Sequence, residues 1–143
     1  MLTPEEPDRP CTGLSILVVD DNRNLRELLR AVFEDAGAVV RDAASVEQAQ
    51  TLLEHALPDA VITDLELLPE ERGGVSILEH VKGRAPSCAV VLLTGRSDEY
   101  EELCGIGFDE VLLKPKRTAD LISSILATTA RCRSYWNQKT AAA

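Results

Sequence analysis

A chain of 143 residues points to one domain, long enough to bury a sizeable core, and 45% apolar residues is ordinary for a soluble globular protein. With aromatics at only 3%, that core has to be assembled from Val, Leu, Ile and Ala. A net charge of −9 repels nucleic-acid and anionic-lipid phosphates, no apolar run approaches the roughly 20 residues of a membrane span, and the acidic, Pro-rich start is unlike a secretory signal, so direct nucleic-acid binding, membrane association and export are all disfavoured.

In chain order, residues 1–13 are expected to be a flexible lead-in. Ser15-Ile16-Leu17-Val18-Val19 is an unbroken apolar run of the kind found in strands covered on both faces, and it stops at Asp20-Asp21-Asn22. Leu25, Leu28, Leu29, Val32, Phe33 and Ala36 recur at helical spacing, with Gly37 as the stop. Ala38-Val39-Val40 reads as a second strand. Ser45 caps a helix carrying Val46, Ala49, Leu52 and Leu53 that ends before Pro58.

Ala60-Val61-Ile62-Thr63-Asp64 is a third strand, followed by a loop with Pro69, Gly73 and Gly74 and by a helix marked by Val75, Ile77, Leu78 and Val81. Ala89 to Thr94 is a fourth strand, Ser97 to Cys104 a short acidic helix, Val111-Leu112-Leu113 a fifth strand stopped by Lys114-Pro115, and Leu121, Ile122, Ile125 and Leu126 mark the last helix. A separate tail is expected from Arg131 to residue 143. The four cysteines, Cys11, Cys88, Cys104 and Cys132, form no CxxC pair, which suits reduced thiols in a cytoplasmic chain and neither a zinc site nor a disulfide framework. They are expected to be buried as small hydrophobes, except that Cys132 falls in the tail and is open to exposure. His55 and His80 are expected at the surface.

Five strands alternating with five helices predict an α/β fold, a doubly wound five-stranded parallel sheet with helices on both faces, spanning residues 14–130. Ligands of such sheets bind beyond the carboxyl ends of the strands. Those ends carry Asp20-Asp21, Asp64, Thr94 and Lys114. Clustered carboxylates need a cation, and an all-oxygen set beside phosphate favours Mg²⁺. Asp64 is then a nucleophile able to form an acyl phosphate, Lys114 a partner for its carboxylate and then for a phosphate oxygen, and Thr94 a hydroxyl donor to another. Taken singly each has an ordinary reading: Asp20, Asp21 or Asn22 as a helix cap, Asp64 as a loop acid, Lys114 as the surface end of a strand. Their joint occurrence carries the argument.

VVDDN at 18–22, VITDL at 61–65, LLTG at 92–95, LLKP at 112–115 and Gly107-Phe108-Asp109-Glu110, in this order and at strand ends, resemble the receiver domain of bacterial two-component response regulators over about residues 14–128. The resemblance implies a flavodoxin-like (βα)₅ fold and Mg²⁺ held by Asp20, Asp21, Asp64 and the backbone carbonyl of Glu66. It also implies Asp64 as phosphoacceptor, with Thr94 and Lys114 as the switch hydroxyl and the lysine of the site. The phosphoryl donor would be a histidine kinase or histidine phosphotransfer protein. The residues after the last predicted helix are too few for an output domain. The expectation is therefore a single-domain regulator, not an enzyme, that signals to a downstream protein, through a relay or as a homodimer.

Two departures from the family pattern stand out. Val111 occupies the position, three residues before the lysine, where the family usually has Tyr or Phe. Pro69 and Gly74 follow Asp64 by five and ten residues, so the intervening loop is longer than usual and, with Glu66, Glu70 and Glu71, acidic. A degenerate receiver that is never phosphorylated is the alternative function. An aspartate-nucleophile phosphatase is a further one, but its DxDxT pattern does not fit Asp20-Asp21-Asn22-Arg23-Asn24. A flavin module is disfavoured because acids after the first strand would repel a phosphate.

Overall fold

The structure, a computed structural model, describes residues 9–141. Five strands, β1 (Ser15–Val19), β2 (Val39–Ala43), β3 (Ala60–Thr63), β4 (Ala89–Thr94) and β5 (Glu110–Leu113), form one parallel sheet in the order β2-β1-β3-β4-β5. Five helices alternate with them: α1 (Arg23–Asp35), α2 (Val46–His55), α3 (Gly73–Arg84), α4 (Tyr100–Cys104) and α5 (Thr118–Ala141). The chain order reverses between β1 and β3, which opens a crevice at their carboxyl ends.

Side-chain alternation along the strands explains the two layers. Leu17, Val19, Val61, Val90, Leu92 and Val111 face a core completed by Ala49, Leu53, Ile77, Leu78 and Val81 of α2 and α3. Ile16, Val18, Ile62, Val91 and Leu93 face the opposite core, filled by Leu29 and Phe33 of α1 and Leu121 and Ile125 of α5. Both faces being covered, β1, β3 and β4 had to be continuous apolar runs.

Several boundaries differ from the sequence reading. β2 begins and ends later, at Val39 and Ala43, because it is a sheet edge whose polar residues find partners: the Arg41 guanidinium donates to the Leu52 and Ala56 carbonyls at 3.0 and 2.8 Å. The acidic segment 97–104 divides into a 3₁₀ turn, Ser97–Glu99, and the single-turn α4. α5 runs without a break through residue 131, where a separate tail is expected. Arg131 donates to the Asp109 carbonyl at 2.8 Å, Arg133 pairs with Asp59, and Trp136 lies half-buried beside Pro86 and Gly107.

Within the lead-in, residues 1–8 lie outside the described residues, while Cys11 is fully buried and its N–H bonds the Ala36 carbonyl at 2.8 Å. Cys132 is buried and Cys104 exposed, the reverse of the expectation for these two thiols. His80 is half-buried, not a surface residue. Among the described residues no helix is long and apolar enough to cross a membrane.

The residues between β3 and α3 set how closely α3 approaches the crevice. Leu67 and Glu70 exchange backbone hydrogen bonds of 3.2 and 2.9 Å across Leu68-Pro69, so the extra loop residues close into a small turn anchored by the buried Leu67. The Gly74 N–H then donates to the Leu65 carbonyl at 2.8 Å, and a Cβ at Gly74 would stand 2.4 Å from the Asp64 carbonyl oxygen. Gly74→Ala is therefore expected to lower stability by about 2 kcal/mol through forced displacement of backbone against backbone. Gly83→Ala, in the same helix with open space around the added methyl, should raise it by about 0.5 kcal/mol. Urea unfolding of the two variants checks the opposite signs.

Candidate functional site

Backbone bonds that continue the sheet ladders past the strand ends hold the acidic residues and the lysine in place. Asp20 N–H donates to the Ala43 carbonyl at 3.1 Å, Asp64 N–H to the Val19 carbonyl at 3.0 Å, and Lys114 N–H to the Thr94 carbonyl at 2.8 Å. The polypeptide positions of all three are thus set by the register of β1, β2, β3, β4 and β5 and not by flexible loops. The capping of α1 falls to Asn22, whose side chain accepts from Leu25 N–H at 3.2 Å. Asp20 and Asp21 are thereby released from a capping role, although Asp20 Oδ1 also accepts from Asn22 N–H at 2.8 Å.

The structure brings together the carboxylates that the sequence nominates. Asp20, Asp21 and Asp64 each present an oxygen, and the three lie within 4.8 Å of one another. Asp20 is buried, Asp64 partly buried and Asp21 exposed, so the cluster opens to solvent on one side. Lys114 Nζ bridges the two more buried acids, 3.3 Å from Asp20 Oδ2 and 3.2 Å from Asp64 Oδ2. Asp64 Oδ1 accepts from Leu65 N–H at 2.8 Å, leaving Oδ2 on the side of the lysine. Burial pushes the Asp64 carboxyl above its ordinary value; Lys114 pulls it back, and Asp20 pushes it up again. One lysine does not offset three clustered carboxylates. Three hard oxygens at this spacing fit a small divalent cation, and Asp20, Asp21 and Asp64 are the groups that can hold it.

Thr94 is buried at the end of β4, its hydroxyl accepting from Arg96 N–H at 3.1 Å. Val111 sits in register with Leu92 and is buried in the core on the α2–α3 face, a compact side chain with no ring to reorient. The sequence reading missed two cations here. Arg26 Nη1 donates to the Asp20 carbonyl at 2.9 Å. Arg96 pairs with Glu66, whose side chain points across to the β4–α4 segment. The only available signal for the second was arithmetic: Glu66 follows Asp64 by two residues, as Arg96 follows Thr94.

Comparison with known proteins bears on the family and the fold. Residues 16–126 match the family model for the response regulator receiver domain. The chain is 31% identical over 120 residues to the virulence transcriptional regulatory protein PhoP of Shigella flexneri; the match takes in 82% of this chain and 53% of PhoP, so the chain spans about half the length of that relative. A response regulator receiver domain protein from Clostridium thermocellum superposes with a TM-score of 0.75 at 28% identity, over 85% of this chain and 98% of that one. The receiver domain of a sensor histidine kinase from Pseudomonas aeruginosa PAO1, with a magnesium ion coordinated in its active site cleft, has the same fold at a TM-score of 0.73 and 23% identity, covering 83% of this chain and 99% of its own.

Because the folded Asp64 carboxyl is raised, the wild type loses stability as pH rises through that raised value, while an Asn at this position stays neutral. In chelator-containing buffer Asp64→Asn is expected to be more stable than wild type at pH 7 by about 1 kcal/mol. The advantage should shrink as pH falls and wild-type Asp64 takes up its proton. Thermal unfolding across pH checks this, and a less stable Asp64→Asn at pH 7 would contradict it.

Proposed function

The chain belongs to the response regulator receiver domain family, the signalling modules of two-component systems, and from that premise we propose that Asp64 accepts a phosphoryl group from a histidine kinase or histidine phosphotransfer protein. The observation that carries this reading is the Lys114 ammonium bridging Asp20 and Asp64 beside a third carboxylate, Asp21, at the open side of the cluster. In the transfer an Asp64 carboxylate oxygen attacks phosphorus. The new O–P bond forms as the P–N bond of the phosphohistidine breaks, and the imidazole keeps the electron pair and takes up a proton. The products are an acyl phosphate on Asp64 and a free histidine.

Asp20, Asp21, Asp64 and the backbone carbonyl of Glu66 are the Mg²⁺ ligands in this reading, and the ion supplies positive charge to the phosphoryl oxygens. Asp20, 3.3 Å from the Lys114 ammonium, keeps the lysine aimed at Asp64. Once Asp64 is phosphorylated, the lysine is free to meet a phosphoryl oxygen. Thr94 offers its hydroxyl hydrogen to another, while its oxygen accepts from Arg96 N–H. The receiver unit spans residues 14–130, and the helical stretch from Arg131 is a place for contact with a downstream protein or a second copy. A phosphorylation-dependent signalling module, working in the cytoplasm, is the role that fits this unit best.

A second reading, a receiver that acts without phosphorylation, is favoured by Val111, which is locked in the core where the family usually has a mobile ring. Incubation with acetyl phosphate followed by intact mass decides between them. The expected outcome is a gain of one phosphoryl group that requires Mg²⁺, disappears with chelator and is absent in Asp64→Asn. No gain under any donor, with Mg²⁺ present, supports the second reading.

A further inference from the structure

Two ion pairs tie the loop after Asp64 to the segment after Thr94. Arg96 Nη2 contacts Glu66 Oε1, and Arg96 Nη1 lies 3.7 Å from Glu99 in the 3₁₀ turn. Arg72, at the start of α3, reaches Glu102 of α4 at 3.2 Å. The groove between the two segments is lined by Leu65, Glu66, Leu68, Arg72, Arg96 and Glu99. Both partners of the Arg96–Glu66 pair are about half exposed, at 49% and 48% of side-chain area, so the pair contributes little to stability and separates easily. Arg96 is also held by its backbone, through the Thr94 hydroxyl. The ties on Arg96 therefore run to Glu66, two residues after Asp64, to Thr94 at the end of β4, and to Glu99 in the 3₁₀ turn.

We propose that Arg96 is a phosphoryl-binding residue that couples Asp64 to α4, exchanging Glu66 for the phosphoryl oxygens when Asp64 is modified. The proposal rests on the reading of Asp64 as phosphoacceptor. A phosphoryl group brings a charge of about −1.5 to −2 and three acceptor oxygens, against the single charge of Glu66. The guanidinium fork matches phosphate better than any other side chain. The Thr94 hydroxyl that would donate to the phosphoryl group is the one that accepts from Arg96 N–H, so a turn of that side chain is felt at the Arg96 backbone. Glu99 travels with Arg96, and Glu66, freed, repels Glu99 and Glu102 across the groove unless the segment moves. Charge exchange at Arg96 would thus take the part that a mobile ring cannot play at Val111.

Hydrogen exchange of the full chain with Mg²⁺, with and without acetyl phosphate, tests this, intact mass giving the phosphorylated fraction in each sample. In wild type, peptides covering 97–104 are expected to change their exchange on phosphorylation. In Arg96→Gln that change should be lost at equal phosphorylated fraction, and in Arg96→Lys partly retained. In unphosphorylated Glu66→Gln part of the change should already be present. Exchange in the strand peptides serves as the fold control for each variant, and Glu66→Gln stands as the independent arm if Arg96→Gln does not fold. A wild-type-sized change in Arg96→Gln overturns the proposal, as does a Glu66→Gln pattern identical to unmodified wild type. Mass gain with no exchange change in wild type overturns the coupling alone, whereas no mass gain in wild type removes the reading of Asp64 and this proposal with it.

Discussion

Three carboxylates held within 4.8 Å of one another at the open end of a parallel sheet are the constraint on which this molecule turns. Two unit charges at 4 Å repel by about 1 kcal/mol in water and by about 4 kcal/mol near a partly buried surface. Lys114 meets Asp20 and Asp64 but brings one charge against three carboxylates, and a divalent cation is the kind of group that would offset the rest. The fold bears that repulsion because Asp20, Asp64 and Lys114 are pinned by their ladder bonds to Ala43, Val19 and Thr94, which a local shift cannot relieve without breaking the sheet. Gly74 belongs to the same constraint, since any side chain there would press on the Asp64 carbonyl.

Much of this was legible in the sequence, for identifiable reasons. β1, β3 and β4 are buried on both faces, so they had to be apolar runs, and the acids and the threonine stand at the ends of those runs because the runs end there. Once the strands are parallel, their carboxyl ends lie along one edge, and Asp20, Asp21, Asp64, Thr94 and Lys114 gather without any knowledge of the loops.

What escaped depends on how loops and termini meet. β2 was misplaced because edge strands tolerate Arg41 and Asp42, which look like loop residues until their partners on α1 and α2 are seen. Residues 118–141 contain no Gly or Pro, a sign that α5 had no reason to stop near 130, yet the contacts that fix its extension, Arg131 with the Asp109 carbonyl and Arg133 with Asp59, join it to segments far from it in sequence. Glu66 and Arg96 sit in different loops, and only the β3–β4 pairing makes them neighbours. The departures noticed in the sequence acquire a physical form here. The long loop is a closed Leu67–Glu70 turn, Val111 is a buried core residue, and an ionic tie joins the loop after β3 to the loop after β4.

The central claim is that Asp64, and not one of its neighbouring acids, carries the phosphoryl group. Hydroxylamine attacks an acyl phosphate at its carbonyl, expels phosphate and leaves a hydroxamate on the modified residue. Treating the acetyl phosphate- and Mg²⁺-incubated protein with hydroxylamine and mapping peptides by mass spectrometry therefore reads the position directly. The account predicts a hydroxamate on Asp64 alone; a hydroxamate on Asp20 or Asp21, or none in a protein that has gained phosphoryl mass, would contradict it.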